Sequence, residues 1–403
     1  MSRAAAPLTL SLVLAACSAS PLLPDAPAAE GADALATADA AVVPGTLPPA
    51  IAPADFGHVL DKAYIRAPQT WIGDAAFETK WATMLTAPLE LLGGADSAFH
   101  ADLGSRATPL PGGEVLCHGD AKLDNFGWLA AGGGEFSDID FDDAGACPAA
   151  ADILHFLVAT ELELSDPALD DQALGAYIDT LAAGSAAVAI DPTGLPVWDA
   201  VRASGVAKAT KHDTLTIGGE VQVATADEIA AVTALVAADP RFPTTLVDVA
   251  RDVHVDGGSA GLRRFWLLVE DAQHPRTIIE LKELARPGTE LGPHSVTYDA
   301  ATRFDVLKPY WWGAATPEDH FAVSLLGARF LARDRFAHTT PKPAKLTATE
   351  ISNMIQAEAS LLADKHRAAW AGIDPAALRA WLAASAATLT ARWRACYAGA
   401  GGA

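Results

Sequence analysis

Residues 117–128, CHGDAKLDNFGW, place a His, two Asp, a Lys and an Asn within eight positions, and DIDFDD follows at 138–143. These residue types suit one chemistry in particular. Phosphoryl transfer from a nucleotide needs a carboxylate to accept the hydroxyl proton, and an Asn and an Asp to hold magnesium against the phosphates. Magnesium takes a few hard oxygen ligands and keeps some of its waters, so one Asn and one Asp side chain suffice. On this reading Asp120 is the base and Asn125 and Asp140 are the metal ligands. Asp142 is a second metal contact or part of a solvated face, and His118 orients the loop or carries a proton. The implied cofactors are Mg2+ and ATP or another nucleotide, and the acceptor is an unspecified small molecule or protein.

The five-residue step from Asp120 to Asn125 matches the spacing of the protein-kinase catalytic loop. HGDAKLDN resembles the HGDxxxxN loop of aminoglycoside phosphotransferases, and Ile139-Asp140-Phe141-Asp142 resembles their metal-binding strand end. The same resemblance implies that Asp152 braces the catalytic loop. A longer likeness runs through Met84, Pro88 and Gly94, then GDAKLDNFG, DFDDAG, DILHFL, GGSAGLRRFWLLVE and ELKEL. It is similar to the bacterial domain-of-unknown-function family 2252 over about residues 56–395, and implies a protein-kinase-like fold. The chain departs from that family's pattern at Gly93, where an Arg is usual, at Lys122, where a His is usual, and at Asp256, where a Gly is usual.

These residues need elements to hold them. Helical spacing runs from Phe56 to Leu103, EVLCHGD reads as a strand entering a turn, and Pro148 opens an apolar helix. From residue 246 the pattern alternates, with turns at Gly257-Gly258, Gly261 and His274-Pro275, which predicts a three-stranded antiparallel meander. In that meander the turn Gly258, Ser259 and Gly261 could lay backbone N–H groups over phosphates, and Lys282 could reach them as a point charge. Residues from about 318 to 398 read as helical. The expected fold class is therefore α+β, a two-lobed kinase-like fold in circularly permuted order. A catalytic part at 56–245 would precede the β lobe at 246–310 and a helical part at 311–398.

The remaining features bound the reading. With 51% hydrophobic and 19% charged residues the chain can bury a sizeable core. Its formal charge of −22 speaks against nucleic acid or an anionic membrane surface as partner. Residues 1–16 read as a signal peptide, and Leu14-Ala-Ala-Cys17 resembles a bacterial lipobox, so Cys17 is the expected lipidation site. The Ala/Pro-rich stretch 17–55 reads as a disordered tether to a lipid anchor, the expected membrane contact, and the expected location is the cell envelope. Cys117 and Cys147 read as buried free thiols more readily than as a disulfide, and His366 as solvent-facing or packed on a helix. Two rival functions are a non-catalytic, pseudokinase-like binding lipoprotein and a phosphoester hydrolase with metal held by His118, Asp120, Asp140 and Asp142.

Overall fold

The computed structural model describes residues 46–130, 135–140, 142–183, 197–243, 245–255, 257–270, 276–313 and 320–402. The expected signal peptide, Cys17, Phe141 and Asp256 lie outside them. The chain is α+β. Apolar residues at helical spacing form α1 (Lys62–Arg66), α2 (Asp74–Met84), α3 (Pro88–Gly94) and α4 (Asp96–Gly104). Four short strands follow, β1 (Glu114–Cys117), β2 (Phe126–Leu129), β3 (Phe136–Asp138) and β4 (Gly145–Pro148). Next come α5 (Ala149–Leu164) and α6 (Pro167–Ala183). Helix α5 is apolar all round and buried along nearly its whole length, as a core helix must be.

After α7 (Trp198–Ala209) come the two-residue strands β5 (Thr210–Lys211) and β6 (Thr214–Leu215), then β7 (Val221–Val223) and α8 (Ala226–Ala238). The expected meander forms as β8 (Thr245–Asp252), β9 (Arg264–Glu270) and β10 (Thr277–Glu283). It is the centre of a larger sheet. Helix α9 (Ala300–Trp312) leads to β11 (Phe321–Leu325) and β12 (Ala328–Asp334), and the antiparallel order is β11-β12-β10-β9-β8-β7. Strand β13 (His338–Thr339), α10 (Ala348–His366) and α11 (Pro375–Gly399) complete the described chain.

Three readings are corrected. Residues 321–334 are a β-hairpin rather than helix, because Phe321, Val323 and Leu325 alternate inward and the turn Leu326-Gly327 has positive φ at both residues (50° and 77°). Cys117 and Cys147 form a disulfide, their Cα atoms 5.8 Å apart on paired strands β1 and β4. Cys396 is free and buried. Residues 46–55, the end of the expected tether, lie against the body. Ile51 is buried with its N–H donating to Ser385 Oγ, and Trp381 donates to the Pro49 carbonyl. Among the described residues no helix is long and apolar enough to cross a membrane.

The largest apolar cluster joins α1–α6 with α9–α11, while a second lies between the six-stranded sheet and α8. The acidic loops leave the first body where the sheet's other face meets it.

Candidate functional site

Strand β1 ends at Cys117 and delivers the loop 118–125, and β3 ends at Asp138 and delivers 139–143. Strand β10 presents Glu280 and Lys282 on one face while Ile279 and Leu281 enter the sheet core, as alternation requires. The turn between β8 and β9 supplies Gly258 and Ser259. Lys282, Gly258 and Ser259 border one cleft of about 380 Å3, which Asp120, Asn125, Asp140 and Asp142 also line. Lys282 Nζ lies 3.3 Å from Asp140 Oδ2 and 2.7 Å from Asp142 Oδ2. Residues more than a hundred positions apart thus meet in one site.

Charge in the cleft is arranged in layers. Arg264 stands directly opposite Lys282 across β9 and β10, and Arg333 stands opposite Glu280 across β10 and β12. Like charges facing across a ladder repel. Glu280, fully buried, lies 3.9 Å from Arg264 and so offsets this, and it also pairs with Arg333 at 2.9 Å and with Arg335. Burial works against its charge, yet Arg333, Arg264 and Arg335 outweigh that and hold its carboxyl well below the ordinary glutamate range. Asp140 behaves alike: burial is outweighed by Lys282 and Arg333, the latter 3.2 Å away, and it stays ionised. Asp142 goes the other way, pushed up to about 7 by burial and the charge on Asp140. Two neighbouring carboxyls whose charges oppose each other titrate as one coupled pair.

Asp120 points one oxygen at the cleft. Its Oδ2 accepts from Lys122 Nζ and, at 2.9 Å, from Asn125 Nδ2. Asn125 Nδ2 also donates to the Asp120 carbonyl at 2.7 Å, so its amide oxygen is left for a ligand. Lys122 fills the space beside Gly93, where an added Cβ would sit 3.2 Å from Nζ. The cation at 122 therefore occupies room that a side chain at 93 would need.

Two predicted residues lie behind the cleft. His118 is fully buried, its Nε2 3.1 Å from Asp138 Oδ1, and it does not reach the cleft. Burial disfavours its charge but Asp138 outweighs burial, raising its pKa to about 10. The imidazole is thus enclosed behind the loop and lines no part of the cleft. Asp152 opens α5 beneath the loop and accepts from the N–H groups of His118 (2.9 Å) and Gly119 (3.0 Å). His366 takes the packed one of its two expected placements and is buried there too: Nε2 lies 3.1 Å from Asp152 Oδ2 and Nδ1 2.9 Å from the Tyr177 hydroxyl. Gly119 has φ 90°, and a Cβ there would meet the Asp143 carbonyl at 2.2 Å. Only glycine lets the two acidic loops approach this closely.

The glycine turn is only partly a cleft feature. Gly258 and Ser259 line the cleft, whereas Gly261 does not. Its N–H is committed to the His254 carbonyl at 3.4 Å, and its φ of 86° places it against Ile72. It shapes the turn outside the cleft lining. Sequence reasoning missed Lys80 of α2, which is fully buried and donates to the Gly258 carbonyl at 3.0 Å and to Gln69 Oε1 at 2.6 Å. Burial lowers its pKa to about 7. It also missed Arg264 and His155, which lie within the segments GGSAGLRRFWLLVE and DILHFL without having been singled out, and Arg333 and Asp96.

Residues 74–185 match the family described as uncharacterized protein conserved in bacteria, DUF2252. The match supports that family for the segment carrying both acidic loops and Asp152. It stops short of the glycine turn and Lys282. No curated protein and no solved structure shows significant similarity to the chain.

Proposed function

We infer that the protein is a phosphotransferase that binds a nucleotide with magnesium in this cleft, on a kinase-like fold whose β lobe follows the catalytic loop. The observation that carries this reading is the approach of Lys282 to Asp140, 3.3 Å apart, in a cleft shared with Asp120, Asn125 and Gly258. Lys282, Arg264 and Arg333 converge on one sheet face, as recognition of a polyanion requires. The oxygen set of Asn125, Asp140 and Asp142 fits a hard divalent ion. Magnesium supplies neutralisation of phosphate charge when bound. Asp120 would orient and deprotonate the acceptor hydroxyl, and Lys282 would hold a phosphate in register. The acceptor is an unidentified small molecule or protein.

The Cys117–Cys147 disulfide supports the export reading, since such bonds persist in oxidising compartments. An anchored lipoprotein of the bacterial envelope, joined through Cys17, remains the proposed location. One observation favours a second reading, a nucleotide-binding module without turnover: Lys122 is paired with the Asp120 oxygen that faces the cleft. The test is thermal unfolding with nucleotide and magnesium, where a ligand at a hundred times its Kd adds about 2.7 kcal/mol. We expect stabilisation that Lys282→Ala removes. No shift with any nucleotide would sink both readings, and a shift without phosphate release or transfer would select the second.

A further inference from the structure

Behind Asp120 lies a second group of electron-pair donors, facing away from the cleft. Asp96, the first residue of α4, is 2% exposed, and among the described residues neither of its carboxylate oxygens receives a hydrogen bond. His155 of α5 is fully buried. Its Nδ1 lies 2.9 Å from the Ala121 carbonyl, which can only accept, so Nδ1 carries the proton and Nε2 presents a lone pair in the neutral ring. That lone pair faces Asp96 Oδ1 at 3.2 Å and Asp120 Oδ1 at 3.8 Å. Asp120 Oδ1 is also buried without a hydrogen bond, the outward oxygen alone being engaged by Lys122 and Asn125. One atom from each residue thus falls in a group whose members all lie within 4.8 Å of one another.

Three converging acceptors need something positive between them. A single proton shared by Asp96 and His155 would satisfy one contact and leave Asp120 Oδ1 without a donor. A cation satisfies all three at once. Donor atoms of one ion held at about 2.1 Å sit roughly 3.0 to 4.2 Å apart, and His155 Nε2 lies 3.2 Å from Asp96 Oδ1 and 3.8 Å from Asp120 Oδ1. The surroundings also suit an ion: His155 Nδ1 on a carbonyl is the outer contact that fixes a ligating imidazole, and the outer Asp120 oxygen is itself hydrogen-bonded.

We propose that Asp96, Asp120 and His155 form a buried site for a divalent transition-metal ion, separate from the cleft ligands Asn125, Asp140 and Asp142. An imidazole with two carboxylates selects zinc, manganese or iron over magnesium, which is held by oxygen. The ion locks Asp120 from behind and ties α4 and α5 to the loop. The site is independent of whether the chain transfers phosphate.

The test uses the purified full chain, equilibrated separately with Zn2+, Mn2+ and Co2+, dialysed, and analysed for bound metal. One equivalent should be retained by the wild type and by Asp140→Asn, and lost by Asp96→Asn and His155→Gln. The cobalt form should show visible d–d bands that are absent from His155→Gln. A wild-type chain that retains none of the three ions, with an unmoved Tm, would overturn the site and leave a protonated Asp96 bonded to His155. Full retention by Asp96→Asn would overturn it equally. Should the variants fail to fold, wild-type stoichiometry and the cobalt spectrum still decide.

Discussion

Asp152 never meets solvent, yet it holds the two backbone N–H groups that open the 118–125 loop and pairs with His366 from a helix 214 residues away in sequence. Burial opposes its ionisation, and the His366 and His118 contacts outweigh burial, bringing its pKa to about 2 from the ordinary 3.8. A depressed carboxyl contributes stability above its unfolded pKa and loses it as pH falls through the folded one. The shift is worth roughly 2 kcal/mol. Asp152→Asn, a neutral mimic, should therefore cost about that much at pH 7 by urea denaturation. Wild type and variant should converge as pH falls toward about 2, and a gap independent of pH would refute the assignment. His118 has the opposite sign. Its pKa of about 10 contributes stability below the ordinary 6.5 and loses it as pH rises through 10. The loop motif exposed Asp120, Asn125 and Asp140 because they are close in sequence. His366 could not be found that way, since only the packing of α10 on α5 and α6 brings it to Asp152.

At the scale of elements, the site depends on turns and on a strand pair whose pattern was misread. Arg333 lies on β12, inside the segment whose Ala, Leu and Arg content resembles helix, so treating 321–334 as helical hid a cation of the cleft. Burial on a sheet overrode that propensity, and the Leu326-Gly327 turn was the available signal. The meander was legible because Gly257, Gly261 and the alternating apolar residues are local. Lys80 was not, as nothing in α2 announces a buried lysine reaching the Gly258 carbonyl. Gly261→Ala should lower stability by roughly 1–3 kcal/mol through its left-handed φ, and further through contact with Ile72, whose Cγ1 would be 2.7 Å from the new Cβ. Cys117–Cys147 closes a 30-residue separation spanning both acidic loops. Its reduction should cost about 3 kcal/mol in chemical denaturation, by loss of the constraint on the unfolded chain. An unchanged midpoint under reductant would show that the strands hold the loops unaided.

The whole molecule carries −22 formal charges, and its cleft does not escape that excess. Six carboxyls, those of Glu90, Asp120, Asp124, Asp140, Asp142 and Asp143, line it against the four cations Lys122, Arg264, Lys282 and Arg333. Lys282 and Arg333 are moreover engaged by Asp140, and Lys122 by Asp120. A polyanion approaching alone meets a surface of its own sign. On the proposed function, a divalent ion would reverse this by joining Asp140 and Asp142, lowering the acid excess and freeing Lys282 to turn toward phosphate. Binding should therefore be ordered. In equilibrium dialysis, nucleotide alone should bind weakly at low ionic strength, and affinity should rise steeply with magnesium until the cleft ion is saturated. Added monovalent salt should improve the metal-free binding by screening the long-range repulsion, whose reach shrinks from about 30 Å at 0.01 M to 10 Å at 0.1 M. Asp140→Asn should abolish the magnesium dependence while raising the residual affinity for free nucleotide. Tight binding without metal, weakened by salt in the usual manner of a basic site, would mean that the sheet cations dominate the cleft and that the acidic loops serve another ligand.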